Sequence, residues 1–111
     1  MEIITKKEKG AVVVLLNGKL DAGSSPELEK EIDKIVAEGE KHLVLDLAQL
    51  SYISSAGLRV ILAGSKKLKN KQGSLYVSSL GSMVREVFEV SGFSSIIPIF
   101  SSSDEALQKI G

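Results

Sequence analysis

The residues best placed to do chemistry are two adjacent serines, Ser54 and Ser55, followed by Ala56, Gly57, Leu58 and Arg59. Leu58, Ile61, Leu62 and Leu68 recur at helical spacing behind them, so the pair stands at the mouth of an amphipathic helix. A helix N-terminus carries unsatisfied backbone N–H groups and the positive end of the macrodipole. A serine there either caps the helix or offers its hydroxyl as a seat for phosphate. Arg59 lies four residues after Ser55, and helical side chains lean toward the N-terminus. Its guanidinium is then either within reach of a phosphate on Ser55 or an ordinary exposed group. Gly57 either permits close approach of a partner or of neighbouring backbone, or relieves crowding in the first turn.

Little else in the chain offers catalysis. There is no cysteine, which excludes disulfides and thiolate chemistry and fits a reducing compartment. The single histidine, His42, opens an apolar run and has no evident acid partner. Gly57 and Gly64 are too isolated for a dinucleotide fingerprint, and no Walker-type loop occurs. Carboxylates spread along helix faces, so an activated nucleophile finds no base. These features predict a non-enzymatic protein without metal or cofactor. Lys+Arg and Asp+Glu both total 14, so net charge is zero and a nucleic-acid partner has no electrostatic footprint. No apolar stretch approaches the ~20 residues of a membrane span, and no basic-then-apolar leader opens the chain, so a cytoplasmic protein is expected.

The elements that must position the serines follow from periodicity. The 111 residues, 43% of them hydrophobic, suit one domain over 1–111. Ile3 to Lys7 and Ala11 to Leu16 read as two strands, close enough for a hairpin, the second apolar enough for burial on both faces. A helix starts near Ser24-Ser25-Pro26-Glu27, with either Ser25 capping ahead of Pro26 or Ser24 boxed with Glu27. Leu28, Ile32, Ile35 and Val36 form its core face. Leu43 to Leu47 is the next strand, which implies parallel pairing. About seven residues then separate Leu47 from the serine helix, longer than the ~2–6 typical of such connections, and sites of open α/β sheets lie at such places. The basic run Lys66 to Lys71 complements that helix's C-terminal dipole or forms a docking patch. Leu75-Tyr76-Val77, a helix carrying Met83, Val84, Val87 and Phe88, an edge strand Ile96 to Phe100 with Pro98 inside it, and a helix capped by Ser103 complete the order. The fold class is α/β, one mixed and mostly parallel sheet of about five strands with about four helices.

The run Leu50-Ser51-Tyr52-Ile53-Ser54-Ser55-Ala56-Gly57-Leu58 resembles the signature of anti-sigma factor antagonists of the STAS domain family: an aromatic, an apolar residue, then Asp-Ser-Ser/Ala-Gly-Leu. Gly18-Lys19-Leu20-Asp21 matches the stretch before that family's first helix, and Ser91-Gly92-Phe93 with Ile96-Ile97 matches its Ser-Gly-Leu/Phe stretch. The resemblance spans nearly the whole chain and implies a STAS-like domain. It places the phosphorylated serine on Ser55, with Ser54 standing where the family has Asp. It also implies partner switching. The unphosphorylated protein binds an anti-sigma factor serine/threonine kinase, phosphorylation breaks the complex, and a PP2C-type phosphatase resets it. Asp21, Ser54, Ser55, Ala56, Gly57 and Arg59 are the expected partner-binding residues. Asp21 is equally readable as a turn residue entering the first helix, Ser54 as the cap, and Tyr52 and Ile53 as anchors to the core. Two other readings remain: a STAS scaffold subunit of a stress-signalling or lipid-transport complex, and a nucleotide- or anion-binding domain.

Overall fold

The computed structural model describes residues 1–110. Strands β1 (Glu2–Glu8) and β2 (Ala11–Leu20) form an antiparallel hairpin. Its two-residue turn, Lys9 and Gly10, has φ of 52° and 79°, the positive values that match the twist of the flanking strands. The chain continues through α1 (Ser25–Ala37), β3 (His42–Ile53), α2 (Ser55–Asn70), β4 (Ser74–Ser78), α3 (Ser82–Val90), a 3₁₀ turn at Phe93–Ser95, β5 (Ile99–Phe100) and α4 (Ser103–Ile110). The five strands lie in the order β1-β2-β3-β4-β5, and β2 to β5 are parallel. The mixed sheet with four helices is the architecture the sequence predicts.

Each crossover steps one strand in the same direction, so the right-handed rule stacks α1, α2 and α3 on one face. Alternate residues of β2 record the result. Val12, Val14 and Leu16 join Leu28 and Ile32 of α1, Leu58, Ile61 and Leu68 of α2, and Val84 and Phe88 of α3 in the main core. Ala11 and Val13 face the other way, where Ala106 and Leu107 of α4 cover them together with Val44. Burial of β2 on both faces follows from this arrangement.

Several local expectations need correction. Leu47 to Ile53 is not a loop, because β3 runs unbroken from His42 to Ile53 and pairs along β2 as far as Leu20. The last strand shrinks to Ile99–Phe100, since Phe93–Ser95 turns and Pro98 cannot donate to a ladder. Its edge position holds. The cap of α4 is Ser102, whose Oγ accepts the Glu105 N–H at 3.1 Å, while Ser103 is engaged with Asp46. Met83 is 64% exposed instead of packing in the core. His42 is half-buried at the sheet's start, its Nδ1 2.9 Å from Ser74 Oγ. Gly111 lies outside the described residues.

Candidate functional site at the N-terminus of α2

The parallel pairing of β2 with β3 ends at Leu20 opposite Ile53, which brings the two strand ends and the residues after them together. The Ser54 N–H donates to Leu20 O at 2.9 Å, so the turn opening at Asp21 and the serine pair are neighbours across one hydrogen bond. Ile53 is buried and anchors this end to the core, whereas Tyr52 is 44% exposed and does not. The sequence made both residues anchors. The strand's pleat admits only one.

Ser54 is extended, with φ −97° and ψ 172°, and its Oγ accepts the Gly57 N–H at 3.2 Å. It is therefore the N-cap of α2, and Ser55 is the first helical residue, with an exposed side chain. No acidic residue occupies the first turn of α2. The positive end of the helix dipole thus meets solvent without a compensating carboxylate of its own.

Gly57 is buried because its missing side chain is where Leu20 sits. A Cβ there would lie 2.7 Å from Leu20 Cγ, 2.9 Å from Cδ2 and 3.0 Å from the Leu20 carbonyl oxygen. Room for the Leu20 side chain, and for its carbonyl behind it, is the role this glycine fills. Together with the Ser54–Leu20 bond it fixes the height at which α2 leaves the sheet.

Asp21 organises the entry to α1. Its Oδ1 accepts the N–H groups of Gly23 and Ser24, both at 3.0 Å, and its carbonyl accepts the Ser25 N–H at 2.8 Å and the Ser25 hydroxyl. Ser24 Oγ donates to Lys19 O at 2.8 Å, with Asp21 Oδ1 also near at 3.1 Å, and accepts the Asp21 N–H. Ser24 holds the N-cap position without a side-chain cap bond, so neither the Ser25 cap nor the Ser24–Glu27 box forms. The Asp21 carboxylate, in an Asx turn, takes the Ser24 N–H that the box would have given to Glu27, and the Glu27 N–H donates instead to the Ser24 carbonyl at 3.0 Å. The Ser24 backbone N–H, then the Ser24 hydroxyl, hold the Asp21 carboxyl below its ordinary value.

Between the starts of α1 and α2 lies an open cleft of about 410 Å³, lined by Ala22, Ser25, Pro26 and Glu29 on one side and Ala56, Arg59, Val60 and Ala63 on the other. Small side chains make its walls, and Arg59 is exposed. Ala56 and Arg59 are thus brought into one recess beside the Ser55 helix end. Leu20, Pro26 and Glu29 belong to this site and escape sequence reading, since Leu20 looks like any core leucine. The available signal was Gly57, whose close-approach reading implied a neighbour that the sequence alone did not name as Leu20. Among the described residues no cluster of three or more metal-ligating side chains occurs, and no helix is long and apolar enough to cross a membrane.

Comparison with known proteins bears on the family and the fold. BtrV of Bordetella bronchiseptica, named as an anti-sigma factor antagonist, is 43% identical over 106 residues, covering 96% of this chain and 91% of its own. The anti-sigma F factor antagonist of Paenibacillus polymyxa is 29% identical over 111 residues, covering 99% and 95%. The crystal structure of an anti-sigma factor antagonist from Mycobacterium paratuberculosis superposes with a TM-score of 0.89 at 28% identity, covering 97% of this chain and 92% of that one. Residues 2–106 match the STAS domain model, and the chain belongs to the STAS domain family.

Proposed function

We propose that this protein is an anti-sigma factor antagonist that works by partner switching. It binds an anti-sigma factor serine/threonine kinase through the exposed start of α2. Phosphorylation of Ser55 by that kinase releases it, and a PP2C-type phosphatase restores the binding form. These partners place it in the cytoplasm. The observation that carries the reading is the division of labour between the two serines: Ser54 caps α2, which leaves the Ser55 hydroxyl exposed at the first helical position. The names of the relatives support the antagonist role.

The chemistry of such a switch is local. A phosphate adds about −1.5 to −2 charges and three acceptor oxygens. At a helix N-terminus the dipole tolerates it, contributing roughly 0.3–2 kcal/mol, so the fold survives modification. A partner packed over the same surface must instead desolvate a dianion, which is costly without a matching cation. Asp21, Ser54, Ala56 and Arg59 surround the serine and form the surface the partner covers, while Gly57, buried against Leu20, lies beneath it and is not a contact residue. Arg59, on the same helix four residues on, is placed to pair with the phosphate once it forms.

Incubation with the cognate kinase and ATP, followed by mapping of phosphate by mass spectrometry, tests the proposal. Phosphate on Ser55, absent in Ser55→Ala, with kinase binding lost on modification, is expected. Kinase binding without any modification would replace this reading with the scaffold one, which Ser54 in place of the family's Asp favours. Nucleotide affinity without a protein partner would favour the anion-binding one.

A further inference from the structure

A second recess lies on the opposite face of the sheet, between its β1–β3 portion and the start of α4. Because β1 pairs Ile4 with Leu15 and Lys6 with Val13, and β2 pairs Leu15 with Asp46, these side chains share the face that α4 only partly covers. The cleft encloses about 230 Å³ and is lined by Ile4, Lys6, Glu8, Val13, Leu15, Asp46, Ser103 and Asp104. Its floor is aliphatic and its rim is acidic, with three carboxylates against the single ammonium of Lys6. That ammonium pairs with Glu8 at 3.5 Å, and no ion pair among the described residues involves Asp46 or Asp104.

Asp46 is the fixed point. Its Oδ1 accepts the Ala48 N–H and its Oδ2 the Ser103 hydroxyl, both at 3.0 Å, while Ser78, wholly buried, lies 2.9 Å from Ser103 Oγ. Two donors occupy a carboxylate that has about four acceptor sites, so half its capacity remains for a further donor. The carboxylate is half-buried and cannot turn away without breaking both bonds.

Drug-sized ligands occupy clefts of about 300–1,000 Å³, so this one suits a single long side chain. An aliphatic stem over Ile4, Val13 and Leu15 ending in a cation at Asp46 and Asp104 describes lysine. We propose that this cleft receives a lysine side chain of a protein partner, on the face of the sheet opposite the Ser55 site. The chain can then hold one partner at α2 and a second, chosen by its lysine, across the sheet.

The test is an amide NMR titration of the intact protein with two peptides, acetyl-Val-Lys-Val-amide and its norleucine counterpart, which keeps the stem and removes the charge. The lysine peptide should shift the amides of Ile4, Val13, Leu15, Ala48 and Ser103, weaken with added salt, and bind Ser55→Ala unchanged. Asp46→Asn should weaken binding on the order of tenfold or more. Asp104→Asn, an exposed position outside the hydrogen-bond chain, should weaken it about two- to fivefold, and Lys6→Ala should tighten it by a similar factor. These last two carry the test should Asp46→Asn fold poorly. Equal shifts from both peptides, shifts confined to another surface, or none up to about 10 mM would overturn the proposal.

Discussion

Replacing the two glycines of α2 separates one that positions the site from one that merely fits. Gly57→Ala and Gly64→Ala lie in the same helix and both gain helix propensity, up to about 1 kcal/mol each. What the new methyl meets differs. At Gly57 it would sit 2.7 and 2.9 Å from Leu20 carbons and 3.0 Å from the Leu20 carbonyl oxygen. Leu20 is fully buried, and its carbonyl is held by the Ser54 N–H at 2.9 Å, so neither side chain nor backbone has room to retreat. Overpacking of this kind costs about 1–3 kcal/mol, so after the propensity gain a net loss of about 0–2 kcal/mol remains. At Gly64 the nearest atoms are methyls of Ile32, at 3.0 and 3.3 Å, and of Leu75 at 3.4 Å. Side-chain ends can yield by a few tenths of an ångström, so Gly64→Ala should be neutral or slightly stabilising. The two variants should therefore differ by about 2 kcal/mol in urea unfolding, or roughly 8 °C in Tm. A Gly57→Ala protein as stable as Gly64→Ala, or more stable than the parent, would refute the claim that Leu20 sets the height of α2.

Ser54→Ala removes the bond to the Gly57 N–H and should cost about 0.5–2 kcal/mol of stability by urea unfolding, whereas Ser54→Asp keeps an acceptor and should hold or gain a few tenths. The Asp21 carboxyl titrates below its ordinary value of 3.8, because the Ser24 N–H and hydroxyl and the Gly23 N–H favour its charged form. Its contribution is then present above the unfolded value and lost as pH falls through the depressed folded one. Stability of the parent should drop more steeply than that of Asp21→Asn when unfolding is followed from about pH 6 to pH 3. On the proposed reading, Arg59→Ala should lower the melting temperature of Ser55-phosphorylated protein more than that of unmodified protein, and equal shifts would remove Arg59 from the phosphate's surroundings.

The element order was legible because each helix carries its apolar residues at spacing three and four and each central strand is β-branched and apolar. The second half of β3 was not. Its buried residues are Leu47, Leu50 and Ile53, three apart, and the alternation that marks a strand is missing. Register shifts between Leu15 and Asn17 and between Gly18 and Lys19 of the neighbouring strand account for it. Where pairing slips, the side chain facing the core comes one position late, so a continuous strand looks irregular in one dimension. The caps failed for a related reason. Ser24, Ser25 and Asp21 all offer acceptors within five residues, as do Ser101, Ser102 and Ser103 at α4. Partners outside each helix's first turn chose among them: the Lys19 carbonyl, at the end of β2, engages Ser24, and Asp46 on β3 takes Ser103 out of contention. Ser54, by contrast, has no competing long-range side-chain partner, and the local rule found it.

That same cap bears on the departure at position 54. A side-chain oxygen accepting the Gly57 N–H is all the helix requires, and serine supplies it as well as aspartate would. The two differ in charge. Aspartate would put a permanent negative charge beside Ser55, so that a phosphate there adds to an existing field. With serine the first turn of α2 carries no carboxylate, and the nearest charged group of the cleft on this helix is the Arg59 cation. Phosphorylation would then bring the first negative charge onto this helix end, with the Asp21 carboxylate as neighbour across the Ser54–Leu20 bond, where beside an aspartate it would add to a charge the helix already carries. The unmodified surface is correspondingly less repulsive toward acidic partner residues. On the proposed reading the exchange preserves the geometry of the switch and alters its electrostatic contrast, so Ser54→Asp should leave folding intact while weakening the unmodified protein's affinity for an acidic partner surface by a rim-charge effect of about 0.2–1 kcal/mol. Binding measured against ionic strength would resolve it: the parent and Ser54→Asp should converge at high salt, and a difference that persists there would place the effect in packing and not in charge.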